Sequence, residues 1–436
     1  MIDIKLIREN PEKFKTACKA KKLPADIDLL MNIDSQLSDS RKKLQDIVTT
    51  KNQIGKSIPK MAGDEKQAAL SQLSELKKQE ASLEEKIKNM TPQFDQIMQQ
   101  VAQPADDDVP FGEDDTQNVE IKKVGQVRKF DFEPKDHVQL GLALDIMDIE
   151  RGVRLAGARN YFLKGDGALL HWAVLRFAID FMTAKGYVPM SVPLLMKDEA
   201  MRGTGYFPGS EEQTYQMERD QLSLAGTAEV PVTAYYMGEI LNADELPKKF
   251  VALSTCFRRE AGAAGKDTYG LYRIHQFDKV EQVIVCENSV EQSNKFHEEI
   301  LANSEGLMQA LELPYRVVVV CTGDLGRGQA KKYDIEAWMP SRKNYCETHS
   351  ASKFYDFQAR RLNLRYKDPK TKKNQFCHTL NNTVIASPRV LIPLMELYQN
   401  SDGSITIPKV LRPYLGGKER IIHNLMKGCL QSSSLV

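Results

Sequence analysis

The stretch that decides the fold runs from Ser254 to Glu281 and reads STCFRREAGAAGKDTYGLYRIHQFDKVE. Its two ends are typical of extended strands, and its glycine-rich middle predicts the loop that joins them. Because side chains alternate along a strand, we expect Arg258 and Glu260 to share one face while Arg259 points away, and Phe277 and Glu281 to share a face on the return strand. A guanidinium, a carboxylate and an aromatic ring on one sheet surface suit a triphosphate, an amine and a purine.

Two other interpretations of this stretch are weaker. An exposed ion-pair strand with Phe277 in the core would explain the charges, but so long a pattern seldom recurs by chance. Other nucleotide-binding motifs do not fit: the Gly-Lys pairs at 265–266 and 417–418 lack the upstream glycine of a P-loop, residues 323–329 end in glutamine where lysine is needed, and no G-x-G-x-x-G follows a strand.

Composition indicates a large soluble protein without a global basic field. The 436 residues include 60 Lys and Arg against 59 Asp and Glu, so any contact with nucleic acid must be local. Seven cysteines without metal-ligand spacing favour reduced thiols. The charged N-terminus is unlike a signal peptide, and no uninterrupted apolar run approaches twenty residues, so we expect a cytoplasmic protein with no membrane partner.

The N-terminal region carries two heptad seams. Apolar positions recur at spacings of three and four from Leu30 to Met61 and again from Ala69 to Val101, with a turn predicted at 62–64. The pattern predicts an antiparallel helical hairpin that projects about 50 Å. Lys51 and Glu80 interrupt the seams and are expected to set their register.

The first arm of this hairpin is basic. Its cations would contact RNA phosphates without reading sequence, although a solvated helix face explains them almost equally well; they are Arg41, Lys42, Lys43, Lys51, Lys56 and Lys60.

Two domains joined by a linker are predicted along the chain. Residues 1–103 form the helical domain, the Pro- and Asp-rich residues 104–116 form a linker, and 117–436 form the catalytic domain. Within the catalytic domain an amphipathic helix is predicted over 168–185, followed by a strand that ends near Pro193. The tail that ends in Gln431–Val436 is expected to be flexible and is assigned no function.

These features occur together, and in this order, in the bacterial seryl-tRNA synthetases, which the chain resembles along nearly its whole length. The 254–281 stretch resembles motif 2 of the class II aminoacyl-tRNA synthetases, and 187–195 resembles their motif 1. The other segments that carry the resemblance are 203–208 (GTGYFP), 227–229 (TAE), 321–326 (CTGDLG), 332–340 (KYDIEAWMP), 356–361 (DFQARR) and 410–414 (VLRPY). The resemblance implies an α+β fold, with a mostly antiparallel sheet flanked by helices, an N-terminal coiled-coil arm and a homodimer built on motif 1.

The resemblance also implies the residues of the active site. The catalytic residues would be Arg258, Glu260 and Arg389. The L-serine site would comprise Thr227, Ala228, Glu229, Glu281 and Thr383. The ATP site would comprise Arg258, Arg259, Glu260, Phe277, Glu347, Thr348, His349, Ser350 and Arg389, with Mg²⁺ held through ATP by Glu347 and Ser350.

Two departures from the family pattern lie near its motif 3. Asn382 stands where the family usually has glycine, and Pro388 stands where glycine precedes the motif 3 arginine. Proline fixes φ near −65°, so we expect Pro388 at the first position of a helix, with Arg389 in its first turn.

The function implied is the ATP-dependent activation of L-serine and its transfer to tRNA(Ser), and also to tRNA(Sec), which the arm would bind. Two alternatives remain open. A paralogue that loads a carrier protein typically lacks the long arm, which this chain has. A catalytically silent RNA-binding protein would have lost Arg258, Glu260 or Arg389, and all three are present.

Overall fold

The computed structural model describes residues 1–262, 267 and 269–423. Most of the glycine-rich turn predicted inside the 254–281 stretch, and the tail at 431–436, lie outside the described residues. The chain divides into two compact units, Met1–Pro104 and Ala105–Val436, and each is described by itself.

The first unit is helical. Asp3, Asn10 and Asp26 each accept a backbone N–H at a helix start, so the sequence caps its own helices. The Arg8 guanidinium donates two hydrogen bonds, of 2.6 and 2.8 Å, to the Asp34 carboxylate, and this contact links the first helix to the third. The helices are α1 (Ile4–Glu9), α2 (Pro11–Ala20), α3 (Ile27–Ser57) and α4 (Gly63–Gln100).

Helices α3 and α4 form the predicted antiparallel hairpin. Lys51 pairs with Glu80 across the seam, so the two polar seam positions satisfy each other. The seam residues of α3 are fully buried only from Ile27 to Ser40, and further along they are half exposed, because two helices alone cannot enclose a seam. A short 3₁₀ turn at 58–60 ends the first arm, and α4 already begins at Gly63, so the connection is tighter than the turn expected at 62–64.

The segment that follows the first unit is irregular but well anchored. Asp106 pairs with Lys353 and Asp108 with Lys331, each at 2.5 Å, and the Tyr355 hydroxyl donates to Asp106. Asp106 and Asp108 of the predicted linker are therefore bound to the body of the second unit.

The second unit mixes helices and strands. Its helices are α5 (His137–Ala143), α6 (Ile149–Ala156), α7 (Asp166–Ala184), α8 (Asp198–Gly203), α9 (Glu229–Thr233), α10 (Val290–Ala310), α11 (Phe357–Leu362) and α12 (Leu391–Leu397). Its strands are β1 (Val119–Val124), β2 (Met147–Asp148), β3 (Phe162–Leu163), β4 (Val188–Met190), β5 (Leu195–Lys197), β6 (Gln216–Met217), β7 (Leu222–Leu224), β8 (Ile240–Asn242), β9 (Lys248–Phe257), β10 (Gln276–Cys286), β11 (Tyr315–Val319), β12 (Lys331–Met339), β13 (Asn344–Tyr355), β14 (Arg365–Lys367), β15 (Asn374–Phe376), β16 (His378–Ser387), β17 (Ile405–Thr406) and β18 (Arg420–Ile421).

The main sheet has the strand order β1-β11-β12-β13-β16-β10-β9-β4. Every neighbouring pair is antiparallel except β4 with β9, which is parallel and lies at one edge. The mostly antiparallel sheet implied by the family resemblance is confirmed.

One face of the sheet packs in the main core and the other is polar, as the alternating side chains of β10 show. Val280 and Ile284 point to one face and join the main core with residues of α7 and α10. Lys279, Glu281 and Val283 point to the other face. Val283 packs there beside Ala228, so this second face carries the polar cleft described below.

Helix α7 is more apolar than the sequence analysis anticipated. Among the described residues it is the one helix whose length and composition would suffice to cross a membrane, and 44% of its most apolar 18-residue window is buried within the protein. Ala173 and Val174 pack in the main core, and Asp166 pairs with Lys418 at 2.5 Å. This is the packing of a core helix.

Candidate active site

The first strand of the 254–281 stretch ends earlier than predicted. Ladder pairing between β9 and β10 stops at Phe257 with Gln276, and Glu260 has a left-handed φ of 51°. The Arg258 amide still donates to the His275 carbonyl at 2.9 Å, but the Arg259 amide turns away from the hairpin and donates to the Gln213 carbonyl. The expected strand over 258–260 is therefore wrong, yet both Arg258 and Glu260 still reach one cleft.

The cleft opens on the polar face of the sheet and measures about 600 Å³ including its solvent-filled mouth. Four strands, β9, β10, β13 and β16, supply its walls together with the segments at their ends. The lining residues are Arg258, Glu260, Leu271, Tyr272, Arg273, Ile274, Phe277, Lys279, Glu347, Thr348, Ser350, Thr383, Ala386 and Arg389. Most of the residues expected at an ATP site are thus brought together, whereas Arg259 and His349 are not among the lining residues.

One end of the cleft combines an aromatic face with charges. The Arg258 guanidinium carbon lies 5.3 Å from the centre of the Phe277 ring, and its Nε donates to the Gly226 carbonyl. Arg273 donates to the Glu260 carboxylate at 3.1 Å. A planar base above Phe277 would therefore have a carboxylate and a guanidinium within reach of its edge.

A second cationic wall is built around Tyr272. Its ring lies 3.9 Å from the guanidinium of Arg342 and 4.6 Å from that of Arg389. Arg389 also donates from Nε to the Tyr272 carbonyl at 3.2 Å. Arg389 is thereby fixed beside the cleft before any ligand binds.

A β-bulge determines which side chains of β13 reach the cleft. On a regular strand Glu347 and Ser350, three residues apart, would face opposite sides. Here Ile335 pairs with His349 and Glu336 pairs with Glu347, which leaves Thr348 as an extra residue without a partner on β12. The bulge turns Glu347, Thr348 and Ser350 toward the cleft. His349 remains buried, and burial lowers its pKa to about 4.

Glu347 is held in its ionised form. Burial raises the pKa of its carboxyl, but the positive charges of Arg389 and Lys332 outweigh burial and hold that pKa below its usual value. Arg389 Nη1 lies 3.7 Å from the carboxylate. An ionised carboxylate and the Ser350 hydroxyl are oxygen ligands of the kind that Mg²⁺ prefers.

The other end of the cleft leads to a buried polar cluster around Lys279. Its ammonium donates to the Thr227 hydroxyl at 2.8 Å and pairs with Glu281 at 2.5 Å. Gln358 donates to Glu229 at 2.8 Å. The pKa of Glu229 is raised to about 7, mainly by burial and secondly by the negative charge of Glu281. A carboxylate so destabilised binds a cationic group strongly.

A second bulge, on β16, separates the roles of adjacent residues. Val280 pairs with Ile385 and Glu281 with Thr383, which leaves Val384 as the extra residue. Thr383 lines the cleft. Asn382 points to the opposite face, where its side-chain oxygen Oδ1 accepts from Gln282 at 2.8 Å and from the Ser304 hydroxyl, so this departure from the family pattern falls in the core.

Pro388 is not at the first position of a helix. Residues 388–390 form a turn after a cis Ser387–Pro388 bond, and α12 begins at Leu391. That expectation is therefore wrong. Arg389 instead projects from the turn, because the main-chain carbonyls of Tyr272 and Glu347 both accept from its guanidinium at 3.2 Å.

Sequence reasoning missed four polar contributors to this region. Lys279 had a signal, since it alternates with Phe277 and Glu281 on one strand face. Tyr272 and Arg273 follow the glycine-rich loop, where no periodicity assigns a direction, and Gln358 acts from helix α11.

Comparison with known proteins identifies the class. Residues 213–398 match the family model "tRNA synthetase class II core domain (G, H, P, S and T)", and residues 1–103 match "Seryl-tRNA synthetase N-terminal domain". A prolyl-tRNA synthetase of Giardia lamblia, in complex with prolyl-adenylate, shares the fold at 14% identity, with a TM-score of 0.55 over 63% of this chain and 55% of that one. The fold is that of a class II tRNA synthetase.

Within that class the chain belongs to the seryl-tRNA synthetase family, as the sequence led us to expect. It is 44% identical to the serine–tRNA ligase of Deinococcus radiodurans over 96% of this chain and 98% of that protein. The structure resembles seryl-tRNA synthetase from Pyrococcus horikoshii complexed with ATP (36% identity, TM-score 0.92, covering 97% and 100% of the two chains). It also resembles the cytoplasmic enzyme of Naegleria fowleri in complex with AMP (32%, TM-score 0.87, 97% and 99%).

Proposed function

We propose that the protein activates L-serine with ATP and transfers the seryl group to tRNA(Ser). One observation carries the proposal. The Lys279 ammonium, which lines the cleft that holds Phe277 and Arg389, also donates to Thr227 and pairs with Glu281. A nucleotide site and an amino-acid site therefore share one wall, as the joining of their substrates requires.

Arg258, Phe277 and Arg389 would bind the nucleotide. Phe277 stacks on the adenine, Glu260 accepts from its amino group, and Arg389 neutralises the γ-phosphate. Arg258 lies between the α-phosphate and the serine carboxylate. A carboxylate oxygen of serine attacks the α-phosphorus, the bond to the β-phosphate bridging oxygen breaks, and pyrophosphate leaves. A terminal ribose hydroxyl of tRNA then attacks the acyl carbon, and AMP leaves.

The Lys279 cluster would select serine. Glu229 and Thr227 hold the ammonium, while Glu281 and Thr383 bind the side-chain hydroxyl. Alanine and glycine leave those buried polar groups without a partner, and such a loss is strongly discriminating. Threonine adds a methyl group against Thr383.

Magnesium fits the donor set beside the phosphates. Glu347 is ionised, and Ser350 offers a hydroxyl on the same wall. The described residues contain no group of three or more His, Cys, Asp or Glu side chains placed to hold a metal ion by themselves, which is consistent with a Mg²⁺ ion held mainly by ATP oxygens. Such an ion, held beside Glu347 and Ser350, would supply positive charge against that of the phosphates and the leaving pyrophosphate.

The α3–α4 hairpin would bind the tRNA. Arg41, Lys42 and Lys43 are exposed on its first arm, where they are free to meet phosphates, whereas Lys51 is engaged by Glu80. Recognition by shape and charge suits a long helical arm, and it extends naturally to tRNA(Sec).

We also propose that the active form is a cytoplasmic homodimer. The motif 1 region exposes large apolar side chains: Trp172 is 61% exposed on α7, and Val188 is 55% exposed on β4. Strand β4 is also an edge of the main sheet. Pairing of two copies through this surface would cover both the edge and the apolar side chains.

Amino-acid-dependent exchange between ATP and pyrophosphate tests the activity. We expect magnesium-dependent exchange with serine, and little with threonine, alanine, glycine or cysteine. Arg258→Met should abolish exchange, while Lys249→Met, which breaks an ion pair with Glu299 elsewhere on β9, should not. Charging of tRNA distinguishes the ligase from a carrier-protein ligase, and a folded protein without exchange would favour the silent RNA-binding alternative.

A further inference from the structure

The described part of the catalytic unit contains a buried histidine that touches the cleft wall only through a backbone amide. His137 begins helix α5 and is buried. Its ring Nδ1 and its own backbone N–H both contact one carboxylate oxygen of Glu396, at 2.7 and 3.1 Å. On the opposite side of the ring, Nε2 lies 3.1 Å from the backbone nitrogen of Leu271.

These contacts determine the tautomer of His137. A backbone N–H can only donate, so Nε2 must be the unprotonated acceptor for Leu271. The ring proton is therefore on Nδ1 and is donated to Glu396. The second oxygen of Glu396 accepts from the Ser341 amide at 2.9 Å, so this carboxylate is itself held in place.

The contact point lies where the chain returns from the glycine-rich loop to the cleft. Gly270 has a φ of 73°, and a Cβ built on it would lie 2.1 Å from Nε2 of His137. Glycine thus allows the close approach of the backbone to the ring. The next residues, Leu271 to Ile274, all line the cleft.

From Leu271 the connection reaches both sides of the proposed nucleotide site. The Tyr272 carbonyl accepts from Arg389 at 3.2 Å, and Arg273 donates to Glu260 at 3.1 Å. Glu396 lies on α12, the helix that follows Arg389. His137 therefore links α12 to the returning chain that presents Tyr272 and Arg273.

We propose that His137 is a positioning residue for ATP, acting through its acceptor contact with the Leu271 amide. The proposal rests on the proposed function of this cleft. Losing the acceptor frees the start of the Leu271–Ile274 wall, which weakens ATP binding, while the Lys279 cluster and its affinity for serine are untouched.

Two substitutions separate the halves of the histidine. His137→Asn keeps a donor near the Nδ1 position for Glu396 but removes the acceptor for Leu271. His137→Gln places an amide oxygen near the Nε2 position and removes the donor to Glu396, whose oxygen keeps the residue 137 amide. ATP affinity is measured by calorimetry, KM for ATP and for serine by pyrophosphate exchange, and stability by thermal unfolding.

We expect His137→Asn to raise the ATP Kd and KM about tenfold, as loss of one buried hydrogen bond allows, with KM for serine within about twofold of the wild type. His137→Gln should keep ATP affinity within about threefold even if its Tm falls. If His137 had a purely structural role, ATP affinity would fall in proportion to Tm in both variants, so that the variant with the lower Tm would also bind ATP more weakly. That result would overturn the proposal, and so would an unchanged ATP affinity in His137→Asn.

Gly270→Ala disturbs the same contact from the side of the backbone, because the added Cβ would collide with Nε2 of His137. It should also weaken ATP binding without changing KM for serine. It keeps the test valid should His137→Asn fail to fold, and normal ATP affinity in folded Gly270→Ala would count against the proposal. If the wild type showed no exchange, the proposed function would fail, but the ATP Kd values would still decide the role of His137.

Discussion

The helical arm and the catalytic cleft are stabilised in opposite ways. In the arm, contacts join residues of two consecutive helices along one periodic seam, and Lys51 with Glu80 are partners at matching positions of it. In the cleft, Arg389 contacts Tyr272 across 117 positions of the chain, and Gln358 contacts Glu229 across 129. The arm consequently follows from local pattern, whereas the cleft depends on the whole sheet.

The burial of charge differs in the same sense. The Lys51–Glu80 pair is about one-fifth exposed on each side chain, whereas Lys279 and Glu281 are 8% and 2% exposed. A partly solvated pair contributes little net stability, while breaking a buried pair leaves an uncompensated charge. Equivalent substitutions should therefore have unequal effects in the two regions.

The largest effect is expected from Lys279→Met. It leaves Glu281 buried without its cation, at a cost typical of broken buried pairs, so kcat/KM for serine should fall roughly a hundredfold to a thousandfold. Serine-dependent exchange measures this, and Lys249→Met is the matched control on the adjacent strand. If the two variants were equally active, Lys279 would not belong to the serine site.

Reversing the arm charges should affect only the second half of the reaction. The triple variant Arg41→Glu, Lys42→Glu and Lys43→Glu should lower tRNA charging on the order of tenfold to a hundredfold by losing phosphate contacts, with serine-dependent exchange unchanged. The control reverses three exposed lysines of the catalytic unit, Lys367, Lys370 and Lys372. Equal losses in both triple variants would show that the arm has no special role.

Glu229 should give serine use a pH dependence. Since its pKa is raised to about 7, protonation removes the charge that holds the ammonium, and kcat/KM for serine should fall about tenfold from pH 8 to pH 6. Glu229→Gln should have low activity and lack this step. An identical pH profile in Glu229→Gln would assign the step to another group.

The same residue should affect stability in the opposite direction. A carboxyl whose pKa is higher in the folded protein stabilises it fully only below its unfolded pKa of about 4, and that stabilisation is lost as pH rises through about 7. Thermal unfolding should therefore show Glu229→Gln gaining stability relative to wild type more at pH 8 than at pH 5. A gain independent of pH would contradict this account.

The smallest effect is expected at the arm seam. Replacing Lys51 by Met together with Glu80 by Leu should change the free energy of unfolding by less than about 1 kcal/mol, because a partly exposed ion pair and an apolar pair are nearly equivalent there. Denaturant unfolding measures the change, with each single substitution as a control. If charging falls while stability is kept, the pair sets the register of the arm.

Local order in this protein could be read directly from the residues. The heptad spacing identified the arm and its polar seam positions Lys51 and Glu80, and the family resemblance of the 254–281 stretch indicated the class II fold and the residues of the cleft. Such features can be predicted because the regular repeat of a helix or a strand places residues that are close in sequence on the same face.

The tertiary structure alone decided which side chains reach the cleft. Bulges at Thr348 and Val384 turn Glu347, Ser350 and Thr383 to its wall, the turn at 388–390 presents Arg389 ahead of α12, and His137 reaches Leu271 from 134 positions away. A bulge costs one unpaired residue and is tolerated only where the neighbouring strands and helices stabilise it. That energy comes from packing across the whole unit, so no local pattern in the sequence records it.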